Sequence, residues 1–425
     1  MTTPLHGLVP RRLAPIVASR MAEEPVVLLQ GPRSVGKSTL LRSLAAELGA
    51  ELVDLDDVAV RDAVARDPGL FVSGARPVCI DEYQHVPLVL DAIKAELNRD
   101  GRPGRFVLTG SARHEALPRA AQALTGRLHR LPVYPLSQGE LRGSREHLLD
   151  DLFTEPAAAV AAAAGRPSRT SREEYIDAVT AGGFPSALGR ASLASRNRWF
   201  DDYVSLSVER DVRDVSRIRQ AASLPALLER LAGQTAQVLR IARAASSVRL
   251  DEGTAQSYVR LLEAVFLLYR LPAWGTTLTT RSTASPKIHV LDSGVAARLL
   301  RLTPAKLAAR SPTALTEFGH LLETFAVTEL LKQVSWADWL GGVGHWRTHD
   351  GEEVDLVVER DDGALLAFEV KAAGRVPGED LAPLRKLRDA AGDAFVAGVA
   401  LYLGARSYTY EDRLHVMPVD RIWAP

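Results

Sequence analysis

The sequence predicts an α/β protein of two or three domains, led by a parallel sheet built around a phosphate-binding loop. Three observations carry this. Gly31-Pro32-Arg33-Ser34-Val35-Gly36-Lys37-Ser38-Thr39 fits the pattern G-x-x-x-x-G-K-[ST]. It lies between an apolar run, Pro25 to Gln30, and a segment whose Leu40, Leu41, Leu44, Ala45 and Leu48 recur at helical spacing. Strand and helix patterns then alternate, as a parallel sheet requires. The 425 residues also exceed one ordinary domain.

The loop has a direct physical reading. Gly31 and Gly36 are expected to supply backbone conformations closed to residues with a Cβ. The stretch from Gly31 through Pro32, Arg33, Ser34, Val35 and Gly36 to Thr39 then wraps an anion at a helix N-terminus. Lys37 is placed for the β- and γ-phosphates and the Ser38 hydroxyl for Mg²⁺, so ATP and Mg²⁺ are the expected cofactors.

Composition excludes little and still sets bounds. Lys plus Arg number 52, as do Asp plus Glu, so the net charge is zero. Bulk charge therefore gives no pull toward nucleic acid or membrane, and any such surface is local. The single cysteine, Cys79, cannot form an internal disulfide and reads as a small core residue. No signal-peptide pattern or bilayer-length apolar run is found, so the expectation is a cytoplasmic protein with no membrane partner.

In chain order, residues 1–24 read as a partly helical leading segment; its Arg11-Arg12 pair has no assigned chemistry. Glu51 to Leu55 reads as a strand and residues 57–67 as a helix stopped by Pro68-Gly69. Pro77 to Gln84 is an apolar strand ending in acids. There Asp81 is expected to hold the Mg²⁺ water shell and Glu82 to polarise the attacking water; the plainer alternative is a pair of solvated acids. Gly104 to Ser111 repeats the form. Thr109 and Ser111 at its carboxyl end either sense the γ-phosphate and position water, or cap the next helix.

This order resembles an AAA+ ATPase: Walker A, an Asp-Glu Walker B, then Thr109-Gly110-Ser111 as sensor. Leu124-Thr125-Gly126-Arg127-Leu128 and Val133-Tyr134-Pro135-Leu136-Ser137-Gln138-Gly139-Glu140-Leu141 narrow the likeness. They resemble a prokaryotic AAA+-like family whose ATPase is fused to a restriction-endonuclease-like region. The resemblance implies ATP hydrolysis. It also implies that Arg127 lies near the nucleotide as an arginine finger, in cis or across a subunit interface; the alternatives are a surface salt bridge, or Arg130 in that role.

The Ala-rich stretch Pro156 to Pro167 reads as a linker. Mixed charges at 195–219, among them Asp201, Arg213, Asp214 and Arg217, read first as a solvated helix face. Residues 222–300 resemble a winged helix. Helices at 227–232, 235–246 and 254–266 precede a wing formed by 271–274 and 287–291. The last helix exposes Gln256, Ser257, Arg260 and Glu263, with one basic residue among them. The element is thus open to either DNA binding or protein docking.

In the C-terminal part a helix, Thr316 to Lys332, carries Glu323 and Glu329. Asp350-Gly351 reads as a hairpin turn. Asp355 follows on one strand, and Glu369 and Lys371 share one face of the next. The order resembles the PD-(D/E)XK nuclease superfamily. It implies Glu323, Asp355 and Glu369 as ligands of Mg²⁺ and Lys371 as the group that orients water or stabilises charge. Glu329 is the second choice on the helix. The expected organisation is an AAA+-type ATPase domain (1–145), a helical lid or linker (146–221), a winged helix (222–305) and a nuclease-like α/β domain (306–425). The expected function is an ATPase coupled to a nuclease-like, DNA-interacting domain. The alternative is a regulatory ATPase switch that binds DNA or a protein partner on a non-cleaving scaffold. A homo-oligomer is consistent with either.

Overall fold

A computed structural model of the chain describes residues 4–5, 7–74, 76–113, 124–212, 221–275, 285–339 and 341–424. Its first sheet is wholly parallel: β1 (Val26–Gln30), β2 (Glu51–Asp54), β3 (Val78–Asp81), β4 (Phe106–Gly110) and β5 (Leu128–Pro132) stand in the order β2-β3-β4-β1-β5. The central strands β1, β3 and β4 are buried at every position, as strands covered on both faces must be. Successive side chains alternate between two cores. Val27 and Leu29 join Leu13 and Val17 of α1 (Leu13–Met21) and Leu40 and Leu41 of α2 (Lys37–Leu48). Val26 and Leu28 join Val64 of α3 (Val58–Arg66) and Val89 and Ile93 of α5 (Val89–Leu97) on the other face. Cys79 is buried in the first core beside Val107. Pro68 stops α3 by opening a new helix, α4 (Pro68–Val72), at the first-turn position proline tolerates.

The middle of the chain is helical and packed. After α6 (Gln138–Arg142) and α7 (Leu148–Thr154) comes α8 (Pro156–Ala164). This Ala-rich stretch is not a free linker. Val160 and Ala163 are buried, and the helix lies on strands of the C-terminal sheet. Alanine combines high helix propensity with a side chain small enough for close helix–sheet approach. Then follow α9 (Arg172–Ala181), α10 (Pro185–Leu188) and α11 (Leu193–Leu206), whose exposed Asp201 pairs with Arg298 at 2.6 Å. Arg213, Asp214 and Arg217 of the mixed-charge segment lie outside the described residues.

Next come α12 (Leu224–Ala232), α13 (Ile241–Ser247) and α14 (Glu252–Ala264). They accompany an antiparallel sheet of β6 (Gln237–Val238), β8 (Lys287–Val290) and β7 (Leu268–Leu271), in that spatial order. The pairing strand is 268–271. Residues 272–274 instead leave this sheet and bridge to the next one, Ala273 to His345. Two short helices follow, α15 (Ser293–Leu299) and α16 (Pro304–Ala308).

The C-terminal unit opens with α17 (Pro312–Trp336), capped by Ser311 and a turn longer at each end than its apolar stripe suggests. Its sheet runs β13 (Tyr408–Glu411), β14 (Leu414–Pro418), β12 (Phe395–Tyr402), β11 (Leu365–Lys371), β10 (Glu353–Arg360) and β9 (Gly341–Arg347). β9, β10 and β11 form an antiparallel meander, and β12 is parallel to β11. Gly351, at φ 91°, turns β9 into β10. α17 covers one face through Phe318, Leu321 and Leu322, and α18 (Ala382–Ala391) covers the other through Leu384 and Leu387. One apolar cluster runs from Leu13 to Trp423 through all these units.

Candidate nucleotide site and a C-terminal acidic centre

The phosphate loop joins β1 to α2, and its two glycines serve different ends. Gly36, at φ 93°, takes a left-handed conformation. Gly31 needs no unusual φ. A Cβ there would lie 2.1 Å from the Val133 carbonyl oxygen, so β5 and the loop approach too closely for any side chain. α2 has no side-chain cap, which leaves its first N–H groups for an anion.

Lys37 is buried, and its Nζ donates to the carbonyls of Gly31 at 3.1 Å and Pro32 at 3.0 Å. It also stands 3.6 Å from Glu82 Oε1. Burial lowers the Lys37 pKa, against the pull of Glu82. Burial alone would raise Glu82, but Lys37 and Gln84 outweigh it and hold the carboxyl below its usual range. Burial raises Asp81 against hydrogen bonds from Thr109 and Ser38. So Ser38 and Asp81, expected to share Mg²⁺, already meet. Their oxygen donors suit a hard cation, which when bound neutralises phosphate charge.

Glu82 adopts φ 52°, a left-handed turn that aims it back toward Lys37. Its N–H donates to Thr109 Oγ1 at 2.8 Å, and that hydroxyl donates to Asp81. Thr109 is therefore the strand-end residue that touches Asp81. Ser111 sits at Glu82, both directly and through Gln84, whose Nε2 donates to Ser111 Oγ at 2.9 Å and also to Glu82. The sequence reading passed over Gln84. Its only signal was its place two residues beyond Glu82.

Arg127 is a correction. It precedes β5, whose Leu128 pairs with Val26 at the amino end of β1, while the loop follows the carboxyl end. A five-residue strand separates them by roughly 16 Å. Arg127 donates to Asn98 Oδ1 at 2.7 Å and takes no cis position at the loop. Arg113 and Arg130, by contrast, line a cavity of about 390 Å³ at the start of the loop with Gly31, Pro32, Tyr134 and Phe266. Arg113 follows the sensor strand and is tied to the end of α14. Its N–H donates to Ala264 O at 2.8 Å and its Nε to Glu263 O at 3.1 Å.

Arg11 also gains a role. Its guanidinium donates to Val35 O at 2.9 Å and Tyr134 O at 2.7 Å and pairs with Glu140 at 3.1 Å. It straps the loop to the Tyr134–Glu140 motif. Ser137 and Glu140 form a capping box on α6. The N–H of Gln138 donates to Glu329 Oε2 at 2.8 Å, and Lys332 bridges Glu329 at 2.5 Å and Leu136 O at 3.1 Å. Glu329 is thus a docking residue, away from the acidic centre. Gly183 and Asp292 make a similar joint: the glycine N–H donates to Asp292 Oδ2 at 2.8 Å.

The C-terminal acids do gather. Lys287, on β8 and fully buried, places Nζ 2.6 Å from Glu323 Oε1 and 2.8 Å from Asp355 Oδ1, and it also contacts Glu353. Asp355 Oδ2 accepts from Val370 N–H at 2.9 Å. Glu369 pairs with Lys371 at 3.0 Å, and Lys371 lies 3.6 Å from Asp380. Burial first, then Asp355, pushes Glu369 up to about 8 and lifts Glu323 well above its usual range. Burial would lower Lys287, but Asp355, Glu323 and Glu353 raise it well above the ordinary lysine value. Among the described residues no group of three or more His, Cys, Asp or Glu is disposed to hold a metal ion. The expected metal ligands Glu323, Asp355 and Glu369 therefore do not fit a metal as they stand, because an ammonium holds the centre.

Residues 23–142 match the family described as AAA domain. Together with the loop, strand order and acids above, this makes the N-terminal unit an AAA-type P-loop ATPase domain. Residues 172–306 and 318–422 match two domains of unknown function, DUF8612 and DUF4143. An uncharacterized protein of Mycobacterium tuberculosis is 26% identical over 400 residues, covering 94% of this chain and 81% of its own. An uncharacterized protein of Mycobacterium bovis matches to the same extent. Among solved structures, the Walker-type ATPase of Pyrococcus abyssi aligns with TM-score 0.42 and 14% identity, covering 69% of this chain and 96% of that one. The RuvB Holliday junction branch migration motor of Thermotoga maritima aligns with TM-score 0.28 and 17% identity, covering 62% and 90%. No helix among the described residues is long and apolar enough to cross a membrane.

Proposed function

We propose that this protein is a regulatory ATPase whose nucleotide state sets the disposition of its middle and C-terminal units toward a DNA or protein partner. The observation that carries the reading is Arg113. It stands just beyond the sensor residues Thr109 and Ser111, and its hydrogen bonds end on Glu263 and Ala264 of α14. A change in charge at the γ-phosphate position therefore has a covalent and hydrogen-bonded route into the middle unit. Lys37, Ser38 and Asp81 are the residues to hold ATP and Mg²⁺, with Glu82 as the general base. α14, read as the recognition helix of a winged helix, exposes Gln256 and Arg260, while Glu263 is held by Arg270 at 2.6 Å.

ATP turnover measured with and without duplex DNA tests this. Wild type is expected to hydrolyse ATP faster with DNA. Lys37→Ala is expected to lose turnover altogether. Arg113→Ala is expected to keep basal turnover and lose the stimulation. Unchanged turnover in Lys37→Ala removes the ATPase assignment; full stimulation in Arg113→Ala, which keeps the backbone N–H bond to Ala264 O, removes coupling through the Arg113 side chain.

Phosphodiester cleavage by the C-terminal unit is the second reading. It is favoured by Asp355, Glu369 and Lys371 lying on neighbouring strands of a sheet entered by α17. It requires Lys287 to give way to a metal among these acids, so Mn²⁺-dependent cutting of DNA that disappears in Asp355→Ala would establish it and would exclude a centre closed to metal by Lys287. No cutting by wild type leaves the switch.

A further inference from the structure

The acidic centre of the C-terminal unit has a counterion, and that counterion comes from another unit. Glu323 lies on α17, Glu353 and Asp355 lie on β10, and all three face one ammonium. The Lys287 ammonium donates to Glu323 and Asp355, and Glu353 lies in ion-pair contact with it. Without a cation, such a cluster would leave buried negative charges uncompensated.

The delivery of Lys287 is rigid. β8 is the central strand of its sheet, paired to β6 on one side and β7 on the other. Beyond β7 the chain is stitched to the C-terminal sheet. Trp274 N–H donates to His345 O at 2.6 Å, and His345 N–H donates to Pro272 O at 2.9 Å. Trp274 Nε1 also donates to Glu359 Oε2 at 3.1 Å. Withdrawing the strand that carries the ammonium would mean separating two sheets.

We propose that Lys287 is the resident cation of this centre. Its ammonium stands where a divalent metal would bridge Glu323 and Asp355, and the wild-type centre takes up no divalent metal. The set of hard oxygen donors suits Mg²⁺ or Mn²⁺ once the ammonium is gone. The inference is independent of the switch reading, since it needs neither ATP nor DNA.

Calorimetric titration of the nucleotide-free full chain with MnCl₂ alone tests it. Lys287→Ala is expected to gain a Mn²⁺ site that binds at least about tenfold more tightly than anything in wild type, and K287A/D355N is expected to lose that gain. Weak binding elsewhere in the chain is common to all three proteins and cancels. Wild type binding Mn²⁺ as tightly as Lys287→Ala overturns the proposal. So does a Lys287→Ala protein that folds and gains no site. If Lys287→Ala folds only with metal, recovery of circular dichroism in MnCl₂, cancelled by Asp355→Asn, supports the proposal; no recovery overturns it.

Discussion

The Glu82→Gln protein is expected to bind ATP and hydrolyse it about 10²–10⁴-fold more slowly than wild type, the range a positioned general base contributes. The physical argument starts from the Lys37–Glu82 contact at 3.6 Å. Lys37 donates to the carbonyls of Gly31 and Pro32 and stands beside Glu82. On the proposed function, a bound phosphate would compete for that ammonium and free Glu82 to accept a proton from water. An amide of the same shape cannot accept that proton, but it leaves Lys37 without a competitor, so binding is kept or strengthened. Phosphate release and titration with a fluorescent ATP analogue read the two effects separately. Wild-type turnover in Glu82→Gln would place the base elsewhere.

The second large effect is on stability. Glu329→Ala is expected to cost about 3–5 kcal/mol, the range for removing one partner of a buried ion pair. Glu329 and Lys332 are 3% and 4% exposed, so no water replaces the lost carboxylate. The substitution strands the Gln138 N–H and leaves the Lys332 ammonium with the Leu136 carbonyl but no countercharge. Urea unfolding followed by tryptophan fluorescence measures it. A loss below about 1 kcal/mol would mean that the pair is relieved by solvent and that α17 is not anchored there.

These two residues also mark how far the sequence could be read. The loop, Asp81 and Glu82 were legible because one short segment and its flanking strands supply the geometry. Gly31 was legible as a glycine, although the reason lies a hundred residues away, in Val133. Thr109 and Ser111 were both visible at the end of β4, but their division of labour depends on Gln84. The cis position expected of Arg127 was lost because a motif does not say which end of a strand it occupies. Glu329, the second choice for the acidic centre, instead docks α17 onto the first unit. Its partner is a backbone N–H of the first unit, which no local pattern reveals. Ala-rich composition hid the burial of α8. Lys287 was read as part of a wing and nothing more, because its partners lie 36 to 68 positions further along the chain.

The strap formed by Arg11 has one more consequence. It grips the carbonyl of Val35 inside the phosphate loop and, through its pairing with Glu140, the short helix α6. The first N–H of that helix is in turn bolted to Glu329. From Glu329 to Glu323 is six residues of continuous helix, about 9 Å of a stiff rod. The two ends of the molecule's polar machinery are thus joined like a linkage, with hydrogen-bonded pivots and a helical shaft. Motion entering at Val35 has no slack loop in which to dissipate before it reaches the carboxylate that Lys287 holds.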